Sequence, residues 1–141
     1  MSEAEHPQRH MLNKFINALR DQGFLDENFS SLGNLYDNRN MLALFCDDAE
    51  PKLDRVEKSL KNENVDFQGL ATIIEQIKGN AARLGGKRVA EACAELQRSC
   101  GTSDVERCNE AYKKVNWEYY ILRDCFHHIL QVLQILDLLY R

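Results

Sequence analysis

The stretch 105–141, VERCNEAYKKVNWEYYILRDCFHHILQVLQILDLLYR, carries a seam of apolar and aromatic residues in alternating steps of three and four. Val105, Cys108, Tyr112, Val115, Tyr119, Leu122, Phe126, Ile129, Leu133, Leu136 and Tyr140 fall on one stripe, because side chains three and four apart stack on one face of a helix. This predicts a single long amphipathic helix. Thr102, Ser103 and Asp104 are candidate N-caps after Gly101, and Glu106 follows Ser103 at capping-box spacing.

A stripe of that length needs partners, and the preceding sequence supplies three. Phe67, Leu70, Ile74, Ile77, Ala81 and Leu84 form a second seam, beginning after Asp66 and ending at Gly85-Gly86, a pair suited to a helix C-terminus. Val89, Cys93, Leu96 and Cys100 form a third on a shorter helix, and Leu42, Phe45, Ala49, Leu53, Val56 and Leu60 a fourth over 41–60. Four antiparallel helices with short connections bury four such stripes. Two smaller amphipathic pieces precede them, 11–22 (Leu12, Phe15, Ile16, Leu19) and 26–36 (Phe29, Leu32, Leu35), and are expected to cap one end. The expected fold is thus all-α, an antiparallel four-helix bundle with two short N-terminal helices, in one domain over 1–141.

Pro51 conflicts with an uninterrupted helix over 41–60, since it lacks an N–H and clashes with the carbonyl four residues back. A kink or break is expected between Phe45 and Pro51, with Asp47-Asp48-Ala49-Glu50 opening a fresh N-terminus.

Composition limits function. The net charge of -4 argues against nucleic acid as the main partner, because counterion release needs clustered cations and Lys87-Arg88 and Lys113-Lys114 are short. No segment has the roughly 20 apolar residues that span a bilayer, and the first eleven residues lack a signal-peptide core. A cytosolic protein small enough for passive nuclear entry is expected. Cys46, Cys93, Cys100, Cys108 and Cys125 are odd in number, form no C-x-x-C pair and suit a reducing compartment. Neither they nor His6, His10, His127 and His128 have the ligand spacing of a structural zinc site. Asp124-x-x-His127 is too little for a di-iron bundle, so no metal or cofactor is expected.

The chemistry concentrates at Glu75-Gln76-Ile77-Lys78-Gly79-Asn80. Glu75 lies one residue behind the second seam and points away from the core, with Lys78, Gly79 and Ala82 beside it on one exposed face. A mid-helix glycine costs about 1 kcal/mol relative to alanine and asks for a reason. Gly79 is either a close packing contact between helices or clearance for a partner. Local residues alone favour packing, with Lys78 merely solvated.

Taken together, the residues resemble the plant histidine-containing phosphotransfer proteins over nearly the whole chain. The resemblance runs through Gln22-Gly23-Phe24-Leu25-Asp26, Leu44-Phe45 to Asp47-Asp48, Val65-Asp66-Phe67, then Gln76, Lys78, Gly79, Leu84-Gly85, Arg88-Val89, Cys93, Cys100 and Tyr119 to Leu122. It implies that the family's phosphorylated histidine corresponds to Glu75, its following serines to Asn80 and Ala81, and another small polar position to Arg83. Gln76, Lys78 and Gly79 are retained, whereas the nucleophile is not. A glutamate would have to form an acyl phosphate, which needs a positioned metal and charge stabilisation.

The resemblance therefore implies a pseudo-phosphotransfer protein, not an enzyme. It would bind receiver domains of hybrid sensor kinases or response regulators through Gln76, Lys78, Gly79, Ala82, Arg83 and Gly86, and negatively modulate a cytokinin-type relay. Glu75 could also imitate a phosphorylated carrier. A monomer is expected. His127 and His128 lack the flanking Lys and Gly and read as surface histidines. A helical adaptor with partners unrelated to receivers is the competing reading.

Overall fold

The computed structural model describes residues 7–139, so His6 and Tyr140 lie outside the described residues. Six helices form there: α1 (Pro7–Asp21), α2 (Glu27–Ser30), α3 (Leu35–Leu60), α4 (Phe67–Arg83), α5 (Lys87–Gly101) and α6 (Val105–Leu139). Helices α3 to α6 close a four-helix bundle in which α4 packs on α3 and α5, and α6 on α3 and α5. The short links at 61–66, 84–86 and 102–104 turn each helix back on its predecessor. Helix α1 lies against α6, and α2 against α4.

The four seams are the core. Every residue of the α6 stripe from Cys108 to Leu136 is buried, while Val105, at the helix start, is exposed. Phe126 is fully enclosed, its ring 6.0 Å from that of Phe45 and 6.2 Å from that of Phe29, so α2, α3 and α6 share one aromatic contact. The hydroxyl of Tyr119 donates to Glu50 Oε2 at 2.7 Å, and that of Tyr112 to the Leu53 carbonyl at 3.2 Å. Two tyrosines thereby fix α6 against α3 while leaving no buried hydroxyl unpaired.

Three local expectations are corrected. Helix α3 runs through Pro51 without a break. Pro51 and Asp47, whose carbonyl loses its helical donor, are both on the exposed side, where solvent can donate to that carbonyl. Cys46, Ala49 and Leu53 hold both flanks in the core. The 26–36 segment is not one helix: Gly33 takes φ +82° and splits it, and Asn34 caps α3 by accepting from the Tyr36 N–H, so Leu35 and Tyr36 open α3. At α6 the cap is Asp104, whose Oδ1 accepts from the Glu106 and Arg107 N–H groups at 3.0 and 3.3 Å. Ser103 sits at φ 57° and forms no box with Glu106.

Both glycines after α4 are packing devices. Gly85 has φ +78°, and a Cβ there would stand 2.5 Å from the Phe29 backbone nitrogen and 2.8 Å from its Cβ. Its carbonyl accepts from Asp26 N–H at 3.0 Å, strapping α2 over the end of α4. Gly85→Ala is expected to lower stability by about 1–3 kcal/mol, from the overpacking against backbone plus the left-handed strain, as read by urea denaturation. In Gly86→Ala the added Cβ would stand 2.7 Å from the tip of Leu122 and 3.3 Å from the Ala81 carbonyl oxygen, without the left-handed strain or the 2.5 Å backbone approach of Gly85, so its loss should be the smaller of the two.

Candidate functional site

Helix α4 owes its position to an N-cap and a buried stripe. Asp66 accepts from the Gly69 N–H at 2.9 Å, and Leu70, Ile74, Ile77 and Ala81 face the core. At 100° per residue, the side opposite that stripe is centred on Gly79, with Glu75, Gln76 and Arg83 around it. All four are exposed. A Cβ on Gly79 would meet nothing within 4 Å, so this glycine is not a helix packing contact. The local preference for packing is thereby overturned, and its cost to the helix is uncompensated inside the chain.

Beside Gly79 three side chains close a ring. Glu75 Oε2 accepts from Gln97 Nε2 on α5, Gln97 Oε1 accepts from Lys78 Nζ at 3.2 Å, and Lys78 Nζ lies 3.6 Å from Glu75 Oε2. The Gln97 amide and, after it, the Lys78 charge hold the Glu75 carboxyl below its ordinary value of 4.5. The carboxylate is thus favoured, and Lys78 already serves Gln97 and Glu75 within the ring.

A group whose folded pKa is depressed contributes stability above its unfolded pKa and loses it as pH falls through the folded value. The difference in stability between the native chain and Glu75→Gln should therefore vanish as pH drops below 4.5 and through the lowered value. In Gln97→Leu the Glu75 titration, followed by carboxyl-carbon NMR, should move upward toward 4.5.

On the α3 side, Asn80 Nδ2 donates to Asp48 Oδ2 at 3.3 Å, and Arg83 Nη2 donates to Asn80 Oδ1. The sequence-derived docking residues thus divide. Gln76, Gly79 and Arg83 are exposed, Lys78 and Ala82 are half-buried at the α5 edge, and Gly86 is buried under Leu122. Gly86 is corrected to a packing position, since its missing Cβ admits that leucine. Ala81 is also fully buried, so it changes the core and not the exposed face.

Three participants escaped sequence reasoning. Gln97 follows Leu96 in the α5 seam, and that register would have placed it at the α4 edge had the two helices been paired explicitly. Leu44 and Met41 are exposed on α3 next to Asn80, off the buried stripe from which that helix was read.

Other titratable groups are set aside from chemistry. Burial pushes the Cys93 and Cys100 thiols up to about 12 and raises Cys46, Cys108 and Cys125 as well. A thiol that resists ionisation is a poor nucleophile and a poor metal ligand. Among the described residues no group of three His, Cys, Asp or Glu side chains could hold a metal ion. His127 and His128 are exposed on α6, where the His128 ring packs edge-on at 4.5 Å from Phe15 of α1. No helix of the described residues is long and apolar enough to cross a membrane.

An exposed glycine on the open face of a bundle helix, with glutamine and lysine beside it, is the frame on which the resemblance rested. The Hpt domain model matches residues 40–136, which include α4, α5, most of α3 and all but the end of α6. The chain belongs to the Hpt family. Histidine-containing phosphotransfer protein 1 of rice is 30% identical over 129 residues, covering 87% of this chain and 88% of the relative. Pseudo histidine-containing phosphotransfer protein 5 of rice is 29% identical over 123 residues, covering 83% and 81%. The crystal structure of a histidine-containing phosphotransfer protein from Medicago truncatula superposes with a TM-score of 0.89 at 25% identity, covering 99% of both chains. This Hpt chain is accordingly a member of the phosphotransfer branch of two-component signalling. Hpt proteins mediate transfer between receiver domains and are not enzymes in the usual sense.

Proposed function

We propose that this Hpt chain is a pseudo-phosphotransfer protein: it docks on receiver domains of hybrid sensor kinases and response regulators through the open face of α4 and takes no phosphoryl group. The observation that carries this reading is the pairing of an open Gly79 with a glutamate at position 75. The first gives a partner close access to the helix backbone, and the second puts a carboxylate where the family's imidazole would receive phosphate. Docking without transfer makes the chain a competitor of active carriers and so a negative modulator of a cytokinin-type relay. It would act as a single-domain monomer without a cofactor, in the cytoplasm and nucleus.

Glu75 also bears on partner choice. Held as an anion by Gln97 and Lys78, it presents negative charge near the place where a phosphohistidine would carry it. A receiver with an empty acidic centre would be repelled unless a divalent cation occupied that centre.

Isothermal titration against a panel of purified receiver domains, with and without Mg²⁺, tests the reading. Binding to at least one receiver is expected, tighter with Mg²⁺. Added to a reconstituted relay, the chain should slow label transfer from receiver to a histidine-bearing carrier in proportion to receiver occupancy. Absence of binding across the whole panel would favour the helical adaptor with unrelated partners.

A further inference from the structure

Cys100 and Cys108 face each other across the turn from α5 to α6, their sulfurs 3.9 Å apart in a thiol–thiol hydrogen bond. Both are buried, Cys100 at 4% exposure and Cys108 at 0%. All of the residues between them, 101–107, are exposed. The two thiols therefore bound a flap that buries no side chain of its own, and it can lift by giving up local hydrogen bonds without opening the core. Thr102 and Ser103 donate their N–H groups to the Ser99 and Cys100 carbonyls at 3.1 Å, and Asp104 caps α6. Ser103 sits at φ 57°, a left-handed conformation that is costly for a residue with a Cβ and so favours opening. A cleft of about 560 Å³ along α5 and α6 reaches Ser99, Asp104 and Arg107, which gives a small solute access to the base of the flap.

We infer that Cys100 and Cys108 are a disulfide site driven by peroxide, which closes when the 101–107 flap lifts and then fastens α5 to α6. Bonded sulfurs stand about 2.05 Å apart, so this pair has to approach by about 1.9 Å, which side-chain rotation and a small shift of the two helix ends supply. In the closed bundle burial pushes the Cys100 thiol up to about 12 and raises Cys108, so neither reacts. Their mutual contact lowers Cys108 and raises Cys100, which makes Cys108 the first to ionise once the flap is lifted.

The Cys108 thiolate then attacks one oxygen of hydrogen peroxide, the O–O bond breaks, and Cys108 becomes a sulfenic acid while the other oxygen leaves as water. The Cys100 sulfur attacks the Cys108 sulfur and expels its hydroxyl as a second water. Together the two thiols lose two electrons and two protons to one peroxide, which leaves as two waters. A bridge of this kind is transient in a reducing compartment, where disulfides serve redox sensing. Gln97 lies one turn before Cys100 on α5, so the bridge also restrains the helix end from which Glu75 is clamped.

The test treats the full chain with hydrogen peroxide, alkylates the remaining thiols after unfolding and maps the cysteines by mass spectrometry. Expected is an intramolecular Cys100–Cys108 linked peptide that dithiothreitol reverses. It should form equally in a Cys125→Ser background, which removes the half-buried thiol outside the pair. Bridging should run about threefold slower in Ser103→Gly, where glycine relieves the left-handed residue and holds the flap down. Asp104→Ala should bridge about threefold faster through loss of the α6 cap, while Asp104→Asn, which keeps a capping oxygen, should stay closer to the native rate. Cys100→Ala should abolish the bridge and leave on Cys108 a sulfenic acid that dimedone traps. The oxidised chain should unfold at a higher urea midpoint and exchange its 101–107 amides more slowly than the reduced chain. If peroxide leaves Cys100 and Cys108 open to alkylation while it oxidises Cys125, or links them only between chains, the site is overturned. Equal bridging rates in the native chain, Ser103→Gly and Asp104→Ala would overturn the flap as its gate.

Discussion

Incubated with a receiver domain phosphorylated by a radiolabelled donor, the native chain should acquire no label, and Glu75→His should acquire it at a rate at least about 100-fold above that background, the scale on which one positioned acid–base or nucleophilic group acts. The native half of the prediction follows from the ring at position 75. An acyl phosphate would require a carboxylate oxygen to attack phosphorus with its charge offset by a metal, yet Glu75 Oε2 is occupied by Gln97 and Lys78. In Glu75→His the same two neighbours change role: Gln97 Oε1 can accept from an imidazole N–H and orient the ring, and Lys78 is freed toward the incoming phosphoryl oxygens. Label on the native chain, cleaved by base or hydroxylamine as an acyl phosphate is and lost on Glu75→Gln, would refute the noncatalytic reading.

How fast the histidine variant becomes depends on what else differs. Ala81 is fully buried, so a hydroxyl there would face the core and could not assist a partner. Asn80 and Arg83 are at the surface and tied to α3, which narrows further lesions to those two. A Glu75→His/Arg83→Ser pair should then transfer faster than Glu75→His alone.

The bundle was legible in the sequence because burial leaves a period. Stripes through Leu70, Ile74, Ile77 and Ala81 and through Cys108 to Leu136 are direct images of which faces meet, and Asp66 and Gly85 end α4 by local chemistry. What escaped depends on contacts between segments far apart in sequence. Pro51 reads as a breaker until its lost hydrogen bond is known to face water. Gly86 reads as part of an exposed face until Leu122, 36 positions later, is found above it. Gln97 and Leu44 carry no signal of their own, and only the packing of α5 and α3 on α4 brings them to the site. Position 75 shows the opposite case: its place on the exposed face was legible from the seam, while its clamp by Gln97 of α5 was not.

Gly79→Leu should weaken receiver binding by about 100-fold, roughly 2.7 kcal/mol, and at the same time raise the stability of the free chain by about 0.5–1 kcal/mol. The two signs have separate causes. Leucine relieves the conformational cost of a mid-helix glycine, and nothing within 4 Å of the added Cβ resists it, so the helix gains. The same side chain projects from the centre of the exposed face, where a partner seated against the backbone would have to give up contact over the area it covers. Gly79→Ala separates the effects, since it delivers nearly all of the helix gain with one methyl of obstruction and should cost the interface much less. A chain that had lost receiver binding would have no reason to keep glycine against that gain in stability. Opposite movement of affinity and unfolding free energy is therefore the signature of a docking surface held open at the expense of its own helix, and unchanged affinity would place the interface elsewhere on the bundle.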